Sequence, residues 1–424
     1  NRPVAWEFPT APLTSLAQLQ HVYFNTDYYE PSYAVGNSFA SPYVRRDETI
    51  SSVGPLNLAR DLPRWIGSAI DFSYLLNDSL WDGHFFSSLA PTYEDGALDQ
   101  DLDATIDAFV TRTDVLQNSR MQLHLEEGGD AESLAVDLKN PNANPEQILA
   151  GHLMVEGAFN VNSVSVAAWK AFLGSLYAQD VVGLELGDSV GGGGAELELG
   201  ANADQAVVSR FSLPTLDKSH PNGSNIQNNS GSGYRTLDAT ELNDLAIEIV
   251  KQVRARGPFL SLSEFVNRSL VASPDASGLM GPLQQAINDA GLNDDYALGL
   301  TVNKGGASPS ANTHDVFLEP EAGTGNSYGA GPGYLLQGDL LNALGPFISV
   351  KSNTFMIRSY GESVNPVTGR QSSVYLEAIV QQVPEFVDTT NPVDTAIDDL
   401  NPENKSFGRQ FNIVQVRRLT ADEI

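Results

Sequence analysis

The sequence contains no cysteine, which removes disulfides, thiolate metal sites and cysteine nucleophiles together. Long apolar runs are also missing. None approaches the roughly 18 residues that a membrane-spanning helix needs, and no signal peptide is visible. Basic charge is scarce: 24 Lys and Arg stand against 53 Asp and Glu, a formal net charge of -29, with a pI near 4.3. A field of that sign repels nucleic acid and anionic lipid, keeps the particle soluble and can recruit divalent cations. The familiar chemical signatures are absent as well. The six histidines, His21, His84, His124, His152, His220 and His314, show neither HExxH nor another close metal-ligand spacing. There is no Gly-x-Ser-x-Gly elbow, and no phosphate-binding glycine pattern lies between a strand and a helix. So many carboxylates are present that no acidic pair stands out as a glycosidase dyad. No catalytic residue and no cofactor-binding residue is assigned.

What remains is an ordinary globular balance, 41% apolar and 18% charged, in a chain long enough for two or three domains at about 150 residues each. Three regions are expected. Residues 1-150 are rich in aromatics and turn formers, 151-345 are mainly helical with flexible insertions at about 188-234 and 304-334, and 346-424 are strand-forming. The chain begins at Asn1 rather than methionine, so a processed form or fragment is expected, with any anchor or export signal removed.

The most consistent stretch runs from Asp238 to Leu270. Leu242, Leu245, Ala246, Ile249, Val250 and Val253 follow i, i+3, i+4, i+7 spacing and line one helix face. Asp238 with Glu241 forms a capping box, and Gly257-Pro258 ends the helix, with glycine expected as a left-handed closing residue. A second helix restarts with Ser261 as cap, Glu264 reaching back, and Leu260 stapled onto Phe265. A helix-hairpin-helix DNA clamp would use the same outline, but the corner has a single glycine and the net charge opposes a duplex, so the pair reads as a packing unit.

Elsewhere, Leu13 to His21 suggests a short helix with Leu16 and Leu19 inward. Tyr28 to Val44 and Asp71 to Pro91 lack a clean period and read as loops wedged by aromatics. Ser163 is a candidate cap for a helix carrying Val166, Trp169, Phe172, Leu173 and Leu176, after turn residues Asn160 and Asn162. Gly191 to Gly194, Leu213 to Tyr234 and Lys304 to Tyr334 read as insertions. Gly281-Pro282 opens a short helix that Gly291 closes, and Leu335 to Leu344 forms another. Strands are expected at Phe347 to Val350, Thr354 to Tyr360, Ser373 to Val383 and Phe411 to Arg417, the second and third joined by a turn at Asn365 to Gly369. The fold class is therefore α+β: helical segments, a small antiparallel sheet and long Gly/Ser/Asn-rich loops.

The densest acidic cluster is DGALDQDLDATID, Asp95 to Asp107. Asp99, Asp101 and Asp103 alternate as calcium-loop ligands do, although the central glycine and bidentate glutamate of an EF-hand are missing. These three are the candidate metal ligands and calcium the candidate cofactor, against a solvated loop leading into a helix at Ala104 to Val110.

Several segments, in order along nearly the whole chain, resemble the verrucomicrobial proteins called Verru_Chthon cassette protein A. They include SLAQLQHV (Ser15 to Val22), YAVGNSFASPYV (Tyr33 to Val44), DFSYLLNDSLWDGHFFSSL (Asp71 to Leu89), GAFNVNSVSVAAWKAFL (Gly157 to Leu173), ARGPFLSLSEFVNR (Ala255 to Arg268), SNTFMIRSYGE (Ser352 to Glu362), YLEAIVQQVPEFVD (Tyr375 to Asp388) and the closing FNIVQVRRLTADEI. The GAFNVNS and RGPFLSLSEF segments and the last strands are also similar to the K-type minor pseudopilin of type II secretion. The resemblance implies a pseudopilin-like carboxyl-terminal part and a role in a bacterial envelope or surface appendage, periplasmic or extracellular. It also implies envelope or pseudopilin-like partners, self-assembly among them, with no nucleic acid and with membrane contact only through a segment outside this sequence. The K-type pseudopilin binds calcium, but its ligands do not align to residues here. A non-enzymatic structural or assembly component is thus the leading expectation. The alternatives are a calcium-dependent extracellular binding module, for instance for surface carbohydrate, and an extracellular hydrolase.

Overall fold

A computed structural model describes residues 12–21, 34–53, 67–94, 97–114, 116–126, 128–177, 180–186, 195–200, 205–217, 233–294, 318–322, 333–420 and 423. The fold is α+β. The glycine run at 191–194, most of the 304–334 insertion, His220 and His314 lie outside the described residues. By contact the chain forms two units, Asn1–Phe86 with Phe159–Val350, and Ser87–Ala158 with Lys351–Ile424.

The first unit is built around the helix Ala239–Arg256. The capping box is present: the Asp238 carboxylate accepts from Thr240 N and Glu241 N, and Glu241 accepts from Asp238 N. All six residues of the expected apolar face are buried. Helices Val166–Leu173 and Pro282–Asp289 pack on it, and helix Gln337–Leu344 joins the same core. Each large aliphatic side chain removed from water here contributes about 1.5–3 kcal/mol.

Around that core, long polar side chains fix the loops. Asn162 accepts from Phe259 N and donates to Phe259 O and Val350 O. Gln337 donates to Gly36 O and Val266 O. Three buried arginines are ion-paired, Arg210 with Asp339, Arg268 with Asp71, and Arg46 with Glu319, because an unpaired buried charge is too costly to retain.

Several local expectations need correcting. Gly257 is not left-handed: its φ is -82, and glycine is needed because a Cβ would lie 2.6 Å from Val253 O. The second helix of the pair, Leu262–Val266, is only five residues long. Leu260 does not staple it, being 71% exposed; Phe259 packs edge-on against Phe265 at 5.4 Å instead. Ser165, not Ser163, caps the Val166 helix through Ala168 N, while the Ser163 carbonyl accepts from the Trp169 indole. Asp71 caps a nine-residue helix, Phe72–Leu80, in the stretch expected to be loops. Inside the 188–234 insertion, Ala206–Ser209 is a buried strand paired with Tyr234–Leu237.

The second unit has its own small core, where helices Leu102–Thr111, Ala131–Lys139 and Pro145–His152 bring together Ile106, Phe109, Leu134, Leu138 and Leu149. Its largest sheet has three antiparallel strands in the order β1 (Thr354–Val364), β2 (Gln371–Phe386) and β3 (Arg409–Leu419). The connection from β2 to β3 is tied to the helical part: Glu126 accepts from Val393 N at 2.5 Å, and Gln147 donates to Asp394 O.

Candidate interaction site

The long sheet starts from the turn expected in the sequence. Asn365 accepts from Val367 N and Thr368 N, and Gly369 takes a φ of +66, the left-handed conformation that glycine adopts without strain. From there β1 and β2 stay in register through eleven residue pairs, Val364↔Gln371 back to Thr354↔Gln381.

Alternation sorts the side chains onto two faces. On one, Glu377 of β2 lies between Arg358 of β1 and Arg417 of β3, at 2.8 and 2.7 Å. Glu377 is buried beneath the two half-exposed guanidinium groups, whose hydrogen bonds hold its carboxyl below the usual range, Arg417 contributing most. The next row is Tyr360–Tyr375, with ring centroids 4.8 Å apart. Tyr360 donates to Glu362, which pushes the phenol upward.

The other face carries an apolar patch, bounded beside Leu376 by Ser359 and Arg418. Phe355 stands beside Val380 and Ile413, Ile357 beside Ala378 and Val416, and Leu376 and Val374 continue the patch. Yet Ile357 is 52%, Ile413 68% and Val416 57% exposed. Soluble proteins seldom leave contiguous apolar area of this kind in water unless it meets a partner. Among the described strands both outer strands are sheet edges. The sheet also departs from the charge of the whole: residues 354–386 and 409–419 hold five arginines against three glutamates in a chain of net -29.

The residues singled out for metal binding serve the local fold. Asp99, on a short strand, accepts from Thr92 Oγ1 at 3.1 Å. Asp101 is the N-cap of helix Leu102–Thr111, accepting from Ala104 N at 2.8 Å, and Asp103 sits exposed in the first turn. Among the described residues no group of three His, Cys, Asp or Glu side chains is placed to hold a metal ion. His124 meets Glu385 at 3.1 Å, and His152 Nδ1 lies 3.0 Å from His124 O.

Sequence reading found the strands but not the Arg358–Glu377–Arg417 row, since cross-strand partners depend on register. The available signal was the apolar run FMI in β1, which puts large side chains on both faces at once. No family model matches the chain, and no curated protein or solved structure matches it either. Among the described residues no helix is long and apolar enough to cross a membrane.

Proposed function

We propose that the protein is a non-enzymatic structural or assembly component of a bacterial envelope or surface appendage, of the pseudopilin-like secretion or pilus type, acting through protein contacts made by the β1–β3 sheet. The observation that carries this reading is the exposed apolar face of that sheet, with large side chains on all three strands. The envelope setting rests on the ordered sequence resemblance.

The test replaces Ile413 and Val416 together by Asp in the native host. Both are exposed, so the melting temperature should hold, while co-fractionation of the protein with envelope assemblies should be lost. An unchanged distribution would sink the reading. So would turnover of a glycan or peptide that disappears on replacing a single acidic residue.

A further inference from the structure

We infer that the free edge of β1 pairs antiparallel with the same edge of a second copy of this chain, about a two-fold axis at Tyr360, giving one six-stranded sheet across two molecules. The inference rests on reading the sheet as a contact surface, and it names the partner and the register.

The backbone hydrogen bonds decide which groups are available. Asn365 N donates to Arg370 O at 2.8 Å and Gln382 N to Asn353 O at 2.6 Å. In an antiparallel pair, bonded and non-bonded positions alternate. The odd-numbered residues of β1, from Asn353 to Asn365, therefore bond to β2, and the even-numbered ones, Thr354 to Val364, turn their N–H and C=O outward. All eleven residues of β1 are exposed, and among the described strands only β2 pairs with it. This edge has no proline, no lysine and no bulge, and its two charges, Arg358 and Glu362, are of opposite sign. The opposite edge, β3, has register irregularities against β2 and carries Arg409, Arg417 and Arg418.

An edge whose outward groups are all even-numbered can meet itself only in registers that set even residues opposite even residues. Side-chain charge then selects among them. An axis at Arg358 would oppose two guanidinium groups, and one at Ser359 would set Met356 against Glu362. An axis at Tyr360 sets Arg358 against Glu362 of the second copy, twice by symmetry. Opposite charges directly across a ladder stabilise it and like charges destabilise it.

The rows of one sheet then continue into the other. Arg417–Glu377–Arg358 is followed by Glu362 of the second copy, an alternation of sign across four strands. Tyr375–Tyr360 is followed by Tyr360 and Tyr375 of the second copy, a ladder of aromatic rings. The net negative charge of the whole chain acts over longer distances and is largely screened beyond about 8 Å at physiological salt, which leaves the local pairs to set the register.

The absence of cysteine makes a clean test. In this register Ser359 faces Gly361 of the second copy at a non-bonded position, where Cα atoms lie about 4.5 Å apart, within reach of a disulfide. A Cβ at Gly361 meets open space, and Ser359 is exposed, so Gly361→Cys and Ser359→Cys should both fold, as circular dichroism and melting would verify. Under mild oxidation, a mixture of the two single variants should give a disulfide-linked dimer, and neither variant alone should. Sedimentation of the unmodified protein from about 1 to about 100 µM should show a reversible dimer. Glu362→Lys, an exposed change, should weaken that dimer about tenfold or more.

A monomer at every concentration, a mixture that fails to cross-link, Ser359→Cys cross-linking alone, or a dimer indifferent to Glu362→Lys would each overturn the inference. A monomer would leave the contact function standing, since that is read from the Ile413 and Val416 variant in cells.

Discussion

Around the central helix of the first unit, Leu242, Leu245 and Ala246 are 0% exposed, and three buried arginines of the unit, Arg46, Arg210 and Arg268, have carboxylate partners. On the long sheet of the second unit, side chains of the same chemistry stand in water, and the one buried carboxylate is covered by arginines that are themselves half exposed. The helical unit uses apolar surface for its own stability. The sheet derives little stability from its apolar face, so that surface is open to another molecule. The difference also separates two kinds of ion pair: Arg210–Asp339 and Arg268–Asp71 in the helical unit cannot lose one member without stranding a buried charge, whereas Glu377 on the sheet keeps one arginine when the other is removed.

The sharpest way to break the comparison is at Arg210 and Asp339. Both are almost wholly buried and joined at 2.9 Å, and Arg210 also donates to Tyr334 O. Asp339→Ala should cost about 3–5 kcal/mol by leaving the guanidinium unpaired, seen as a large fall in the denaturation midpoint. A cost below about 1 kcal/mol would mean that water reaches the pair and that the two units treat charge alike.

A slightly smaller effect is expected from apolar truncation. Leu245→Ala should destabilise by about 2–5 kcal/mol through lost burial and a residual cavity. Ile413→Ala, at a position 68% exposed, should stay within about 0.5 kcal/mol. Parallel chemical denaturation of the two variants checks this directly, and equal losses would erase the distinction between a stabilising and a displayed apolar surface.

These contrasts mark how far the sequence could be read. The central helix was legible because its spacing, its Asp238–Glu241 capping box and its Gly257-Pro258 stop all act within a few residues. The β1–β2 turn was legible for the same reason. The helix Phe72–Leu80 was not, because FSYLLNDSL mixes aromatics with polar residues and Asn77 turns inward to bond Gly36 N and donate to Asn37 O. That role is fixed by tertiary contacts. The choice of Phe259 over Leu260 as the packing residue depends on how the chain leaves Gly257, which spacing alone does not set. The candidate site was half visible. Its strands could be drawn from alternation, but whether their apolar face is covered is decided by the rest of the chain.

A modest effect is expected at the acidic cluster of the second unit. Asp101 caps helix Leu102–Thr111, and Asp101→Ala should cost about 1 kcal/mol. A capping bond to a backbone N–H needs no metal, so the loss it causes should be the same in calcium and in EDTA. A loss confined to the calcium-loaded protein would assign Asp99, Asp101 and Asp103 as ligands and turn that loop, rather than the sheet, into the functional feature of the second unit.

The smallest effect belongs to Glu377, where the sheet's own electrostatics can be read against pH. Arg417 and Arg358 hold its carboxyl below the ordinary glutamate value, so the folded state binds its proton less readily than the unfolded state does. The resulting stabilisation is fully present above the unfolded pKa of about 4.3 and is lost as pH falls through the depressed folded value. Glu377→Gln cannot ionise and should melt slightly below the unaltered protein at neutral pH, with the gap closing as the solution is acidified past that point. High salt should narrow the gap at neutral pH, because both guanidinium partners are open to solvent. A gap that persists at low pH would assign the role of Glu377 to packing rather than charge. The register between two copies rests on Arg358 and Glu362 instead, and is read separately from the Glu362→Lys variant.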